Sequence, residues 1–143
     1  MIQYPMSFDA KSITQEGIQT LWSTSCLSGE LKMGIPKEFE GPGVGYSPED
    51  FYCMALTNCF IATFKVFAEK SKIKFENLEA KGRLTLDRDE KGITWMKHFL
   101  LQVNLKGCPD KERGERLLQK VSQSCMVLNS VKTEKTFEFS LEN

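Results

Sequence analysis

Five cysteines, Cys26, Cys53, Cys59, Cys108 and Cys125, are the residues of this 143-residue chain with the widest chemical reach. A thiolate is a nucleophile, a metal ligand and a reductant, and a protonated buried thiol is none of these. Each cysteine therefore reads either as a small apolar core residue or as a reactive thiol. Cys53 and Cys59 stand six positions apart. On one helix that turns them about 120° from each other, so they are no obvious redox pair. Nor does their spacing match the two to four intervening residues of a zinc motif. With His98 the only histidine, no metal or other cofactor is expected. A Cys–His hydrolase would need His98 beside a thiol. The sequence places it only in the expected strand Ile93 to Leu105, where an accommodated histidine is the simpler reading. The run Gly41-Pro42-Gly43-Val44-Gly45 lacks the Gly-Lys-Ser/Thr ending of a phosphate loop, and Tyr46 takes the slot of the third glycine in the dinucleotide pattern. It reads as a flexible hinge feeding a helix.

Composition sets the context for these residues. Nineteen Lys and Arg balance nineteen Asp and Glu, so no net field attracts nucleic acid or anionic lipid. Hydrophobic residues at 41% and charged residues at 27% are ordinary for one globular domain, expected over 1–143. The start, Met1-Ile2-Gln3-Tyr4-Pro5, has neither the basic opening nor the apolar run of a signal peptide. The most apolar stretch, Phe51 to Ala68, is interrupted by Thr57, Asn58, Thr63 and Lys65 and does not read as a membrane span. A reducing cytoplasm is the expected home, and there five cysteines are not a disulfide framework.

The elements that position the thiols follow from local pattern. Met6 to Ile13 and Ile18 to Cys26 read as strands around a Gln15-Glu16-Gly17 turn, with Gly29 to Ile35 as a short third. Ser47-Pro48-Glu49-Asp50 offers a Ser N-cap, Pro at the first helical position and two acids in the first turn. The helix it opens is apolar on nearly every face, the mark of a buried helix. Leu78 to Leu86 and Ile93 to Leu105 form a long hairpin across Asp87–Gly92. Asp110 opens an amphipathic helix through Leu117, Leu118 and Val121. A short helix or turn holds Cys125 to Ser130, and Thr133 to Leu141 closes the chain as a strand. The order βββ-α-ββ-α-β is α+β, with antiparallel sheet around one long helix. One sheet is thin cover for such a helix, which points to a second subunit supplying the rest.

The block Gly45-Tyr46-Ser47-Pro48-Glu49-Asp50-Phe51, followed by Ala55-Leu56-Thr57-Asn58-Cys59-Phe60, resembles the OsmC/Ohr family. That family opens its central helix on Ser- or Asn-Pro-Glu and carries a reactive Cys after an Ala-rich run. The late segment Cys125-Met126-Val127-Leu128-Asn129-Ser130 resembles the family's second landmark, with Met126 where a Pro is common. The resemblance covers essentially the whole chain. It implies an intertwined α+β homodimer that reduces hydroperoxides, often organic ones, at the expense of an external thiol or dithiol. It further implies that Cys59 is the peroxidatic thiol and Cys125 the resolving one. The chemistry is coherent: a thiolate cleaves the O–O bond and becomes a sulfenic acid, which a second thiol converts to a disulfide.

In the family, an Arg held by a Glu activates the peroxidatic thiol, and Glu49 matches that Glu. Glu49 and Cys59 are ten residues apart on one helix, about 15 Å along its axis, so Glu49 serves Cys59 only across a subunit interface. No Arg precedes the helix; Lys37 is nearest, and Arg83 and Arg88 are the other candidates. A lysine brings charge without the planar fork of a guanidinium. Two other readings stand beside the peroxidase. One is a dimer on this fold that binds a small apolar ligand between Met54, Phe60 and Phe64 without turnover. The other is a Cys-dependent acyl hydrolase, which lacks a placed His.

Overall fold

The computed structural model describes residues 3–27 and 29–143; Met1 and Ile2 of the N-terminal reading lie outside them. The chain divides into two compact units, Met1–Phe51 and Tyr52–Asn143.

The first unit holds a three-stranded antiparallel sheet, β1 (Lys11–Ile13), β2 (Trp22–Cys26) and β3 (Gly29–Met33), in that spatial order. The first two strands are shorter than their β-prone sequences suggest. Ile18 and most residues before Lys11 are exposed, so nothing buried holds those ends in a ladder. The glycine loop is not a free hinge. Tyr46 N–H donates to Lys32 O (3.0 Å) and Gly34 N–H to Tyr46 O (2.9 Å), fastening the loop's end along β3. Gly43 and Gly45 sit at φ +67° and +81°, a region that glycine enters without strain.

Helix α1 (Pro48–Lys70) begins on a complete capping box. Ser47 N–H donates to Asp50 Oδ2 (2.9 Å), and Asp50 N–H donates to Ser47 Oγ (3.1 Å). Within this chain only one face of α1 is fully buried, through Leu56, Phe60, Phe64 and Ala68. Met54 and Val66 are exposed, so the expectation of a helix buried all round is corrected for the single chain. The polar interruptions do not lower its apolar character as far as expected either. By length and composition alone α1 is long and apolar enough to cross a membrane.

The second unit's sheet contains β4 (Asn77–Arg88), β5 (Thr94–Lys106) and β6 (Glu134–Glu142), with β5 in the centre. β4 and β5 are antiparallel, whereas β6 runs parallel to β5, correcting the expected all-antiparallel sheet. The reason lies in the connection. Helices α2 (Lys111–Ser124) and α3 (Met126–Asn129) carry the chain back to the start of β5, and a crossover of that length permits a parallel return. Alternation aims Phe99, Leu101, Val103 and Leu105 of β5, with Phe137, Phe139 and Leu141 of β6, at one core. That core also takes α1's buried face and Leu117, Leu118 and Val121 of α2. Each fully buried side chain of this kind contributes about 1.5–3 kcal/mol. Asp110 caps α2 by accepting from Arg113 N–H (3.1 Å).

Candidate active site

One edge of α1 meets the segment that joins α2 to β6, and both cysteines singled out above lie along that seam. At 100° per residue, Tyr52, Cys59 and Thr63 project within about 40° of one another, at the margin of the buried stripe of Leu56, Phe60, Phe64 and Ala68. Tyr52 Oη and Thr133 Oγ1 are 2.6 Å apart. Four residues beyond Cys59, the Thr63 hydroxyl donates to Cys125 Sγ at 3.8 Å.

Cys125 occupies the break between α2 and α3, where its backbone leaves helical geometry (φ −77°, ψ 113°). Its carbonyl accepts from Asn129 N–H (2.9 Å), and its side chain is wholly buried. Cys59 is half-buried and near enough to act on the Cys125 thiol, and both thiols are free. Burial pushes the Cys125 thiol up to about 12, and the neighbouring Cys59 thiol acts in the same direction. The Thr63 hydroxyl and the Leu128 backbone oppose that rise, and no Lys or Arg contributes. At neutral pH Cys125 is therefore a protonated thiol in a dry site. A disulfide forms between two thiols when one is oxidised and the other, giving up its proton, attacks it.

The remaining candidates stand elsewhere. Glu49, in the first turn of α1, has its Oε2 buried with no hydrogen-bond partner among the described residues. An orphaned buried carboxylate oxygen is costly. Lys37 is exposed in a short 3₁₀ turn (Lys37–Phe39) of the first unit. Arg83 projects from β4 with Glu79 and Lys81, on the sheet face opposite Leu78, Ala80 and Leu84, and therefore away from the helices. Arg88, at the far end of the same strand, is exposed. His98 occupies the outer face of β5, 2.8 Å from Thr136 Oγ1. Strand alternation turns it away from the core that Phe99 enters, which removes the hydrolase reading's base. Phe60 and Phe64, offered as the walls of an apolar pocket, are fully buried and pack on Phe137, Phe139 and Phe75. Cys53 is half-buried on α1, Cys108 is buried and donates to Asp110 O (3.3 Å), and Cys26 is exposed at the end of β2. Thr63 is the site residue that pattern reading passed over, although its i+4 spacing from Cys59 marks it as a neighbour on the same helix edge.

Residues 41–140 match the family model described as OsmC-like protein. Among curated proteins, the uncharacterised YmaD of Bacillus subtilis is 27% identical over 113 residues, 73% of each chain. Among solved structures, an OsmC-like protein of unknown function from Vibrio cholerae superposes with a TM-score of 0.83 at 18% identity, covering 94% of this chain and 99% of that one. An organic hydroperoxide resistance protein from Elizabethkingia anophelis gives 0.76 at 18% identity, covering 99% of both chains. The organic hydroperoxide resistance protein OhrB of Bacillus subtilis gives 0.69 at 20% identity, over 94% and 98%. At these identities the superpositions establish the mixed α+β fold with its two small sheets.

Proposed function

Because the chain belongs to the OsmC-like family, we propose that it is a thiol peroxidase that reduces hydroperoxides, organic ones foremost, and works as a homodimer. The observation that supports this reading is that the α1 edge carrying Cys59 meets Cys125, the Thr63 hydroxyl one turn beyond Cys59 reaching Cys125 Sγ at 3.8 Å. In the first step the Cys59 thiolate attacks the terminal O–O bond. One oxygen stays on sulfur as a sulfenic acid, and the other leaves as an alcohol, or as water from hydrogen peroxide. Cys125 then attacks the Cys59 sulfur, the disulfide forms, and the sulfenic hydroxyl departs with the Cys125 proton as water. An external thiol or dithiol returns both sulfurs to the reduced state, a cycle suited to a reducing cytoplasm.

Two features support the dimer. The apolar residues on the uncovered faces of α1, Met54 and Val66 among them, want a cover. The orphaned Oε2 of Glu49 wants a donor. In the dimer we propose, Glu49 of one protomer serves the Cys59 of its partner. Lys37, Arg83 and Arg88 are the candidates for the cation that holds Cys59 as thiolate. That the fold shares its family with organic hydroperoxide resistance proteins supports the substrate class.

The test is steady-state consumption of tert-butyl hydroperoxide with dithiothreitol as reductant. Wild type turns over, Cys59→Ser loses at least about a hundredfold, as expected for removal of a nucleophile, and Cys125→Ser accumulates Cys59 sulfinic acid. No consumption by wild type sinks the reading.

A further inference from the structure

We propose that the Thr63 hydroxyl is part of the resolving machinery: it holds the Cys125 sulfur and supports the negative charge that this sulfur carries as the disulfide forms and breaks. The proposal rests on the peroxidase reading above and assigns a residue to its second half.

Two threonines of α1 behave differently. Thr57 donates its hydroxyl to the Cys53 carbonyl four residues back, at 2.8 Å, the local bond a helical threonine ordinarily makes. For Thr63 the equivalent acceptor is the Cys59 carbonyl. Its hydroxyl is turned instead to Cys125 Sγ at 3.8 Å, a contact across 62 positions of sequence. Because Thr63 follows Cys59 by one helical turn, the two side chains lie one above the other on a single edge. Cys125 thus faces a thiol and a hydroxyl from the same helix, and nothing of it is open to solvent. Water is not at hand to solvate a charge on that sulfur, so a fixed donor takes its place.

The chemistry gives that donor a task in both directions. Resolution converts Cys59–S–OH and HS–Cys125 into Cys59–S–S–Cys125 and water, so the Cys125 S–H bond breaks as the S–S bond forms. Charge appears on Cys125 Sγ as its S–H bond ionises and passes to the departing sulfenic oxygen as the S–S bond forms. A hydroxyl bond to a thiolate is stronger than one to a thiol, so Thr63 raises the fraction of Cys125 ready to attack. When the external thiol attacks the Cys59 sulfur of the disulfide, Cys125 leaves as thiolate, and a better-stabilised thiolate leaves faster. The sign of the effect is fixed. Burial raises the Cys125 pKa and the Thr63 hydroxyl lowers it. Removing the hydroxyl therefore raises it further, shrinks the thiolate fraction at every lower pH, and moves the alkaline rise of the resolving step to higher pH.

Reduced full-length protein is mixed with tert-butyl hydroperoxide and quenched at intervals. Cys59 sulfenic acid is trapped with dimedone, and the Cys59–Cys125 disulfide is followed by mass spectrometry from neutral to alkaline pH. Thr63→Val keeps the branched shape without the O–H. It is expected to lower the ratio of disulfide formation to sulfenic acid formation by about threefold to tenfold, the loss of one hydrogen bond. It should also shift the pH profile upward and increase Cys59 sulfinic acid. Thr63→Ser restores the ratio and the profile. Thr63→Ala gives the same readout as valine with no branched side chain to fit, and serves if the valine variant melts early. Wild-type ratios and profiles in both the Val and Ala variants overturn the assignment of Thr63 and leave the cysteine pair standing. A wild type that forms no Cys59 sulfenic acid overturns the peroxidase reading and the assignment together.

Discussion

Cys125 is a thiol that burial holds in its protonated form, and that has a thermodynamic consequence apart from any peroxide. Its pKa in the folded protein, pushed up to about 12, lies above that of the exposed thiol in the unfolded chain. As pH rises, the unfolded state loses this proton first. The contribution to stability is intact below the ordinary thiol range and drains away as pH climbs from that range toward about 12. Urea midpoints of reduced wild type should therefore fall more steeply over that window than those of Cys125→Ser, which has no proton to lose there. Parallel slopes would remove the buried-thiol account. Of the residues at the proposed site, Cys59 and Cys125 were singled out by family resemblance alone, because physics left five thiols undivided. Thr63 was not. Its place beside Cys59 follows from helical period, but the direction of its hydroxyl depends on a sulfur 62 positions away, which no local pattern reveals.

Among the elements, the start of α1 was readable because a capping box is local: Ser47 and Asp50 contain all the atoms that make it. The direction of β6 was not, because it depends on where two helices deliver the chain. The approach of α1 to β4 is likewise a tertiary fact, set at Gly82. A Cβ there would run into the Thr57 hydroxyl and the Phe99 ring. Phe99 is fully buried and cannot swing away, so Gly82→Ala forces α1 off the strand. We expect a loss of about 1–3 kcal/mol in a denaturant titration, in the range of overpacked cores. The same change should slow formation of the Cys59–Cys125 disulfide, because Cys59 rides on the helix that shifts. An unchanged midpoint would mean that the crossing is looser than drawn.

For the molecule as a whole, the α+β class was legible from the order of elements, and the cover of α1 was legible only as a need. One chain fully buries a single face of that helix and, among the described residues, leaves a Glu49 oxygen without a donor. The dimer we propose would answer both, and light scattering should then give twice the 16.3 kDa of the chain, with 16.3 kDa contradicting the proposed interface. In that dimer Glu49→Gln should slow sulfenic acid formation on Cys59 while leaving the solution mass doubled. The central claim, that Cys59 and Cys125 form one redox pair, has a more direct test. Reduced protein is treated with one equivalent of tert-butyl hydroperoxide, digested without reductant, and its peptides are mapped by mass. A Cys59–Cys125 linked peptide that is absent from Cys59→Ser is the result we predict; both thiols recovered reduced, with the peroxide still present, would contradict it.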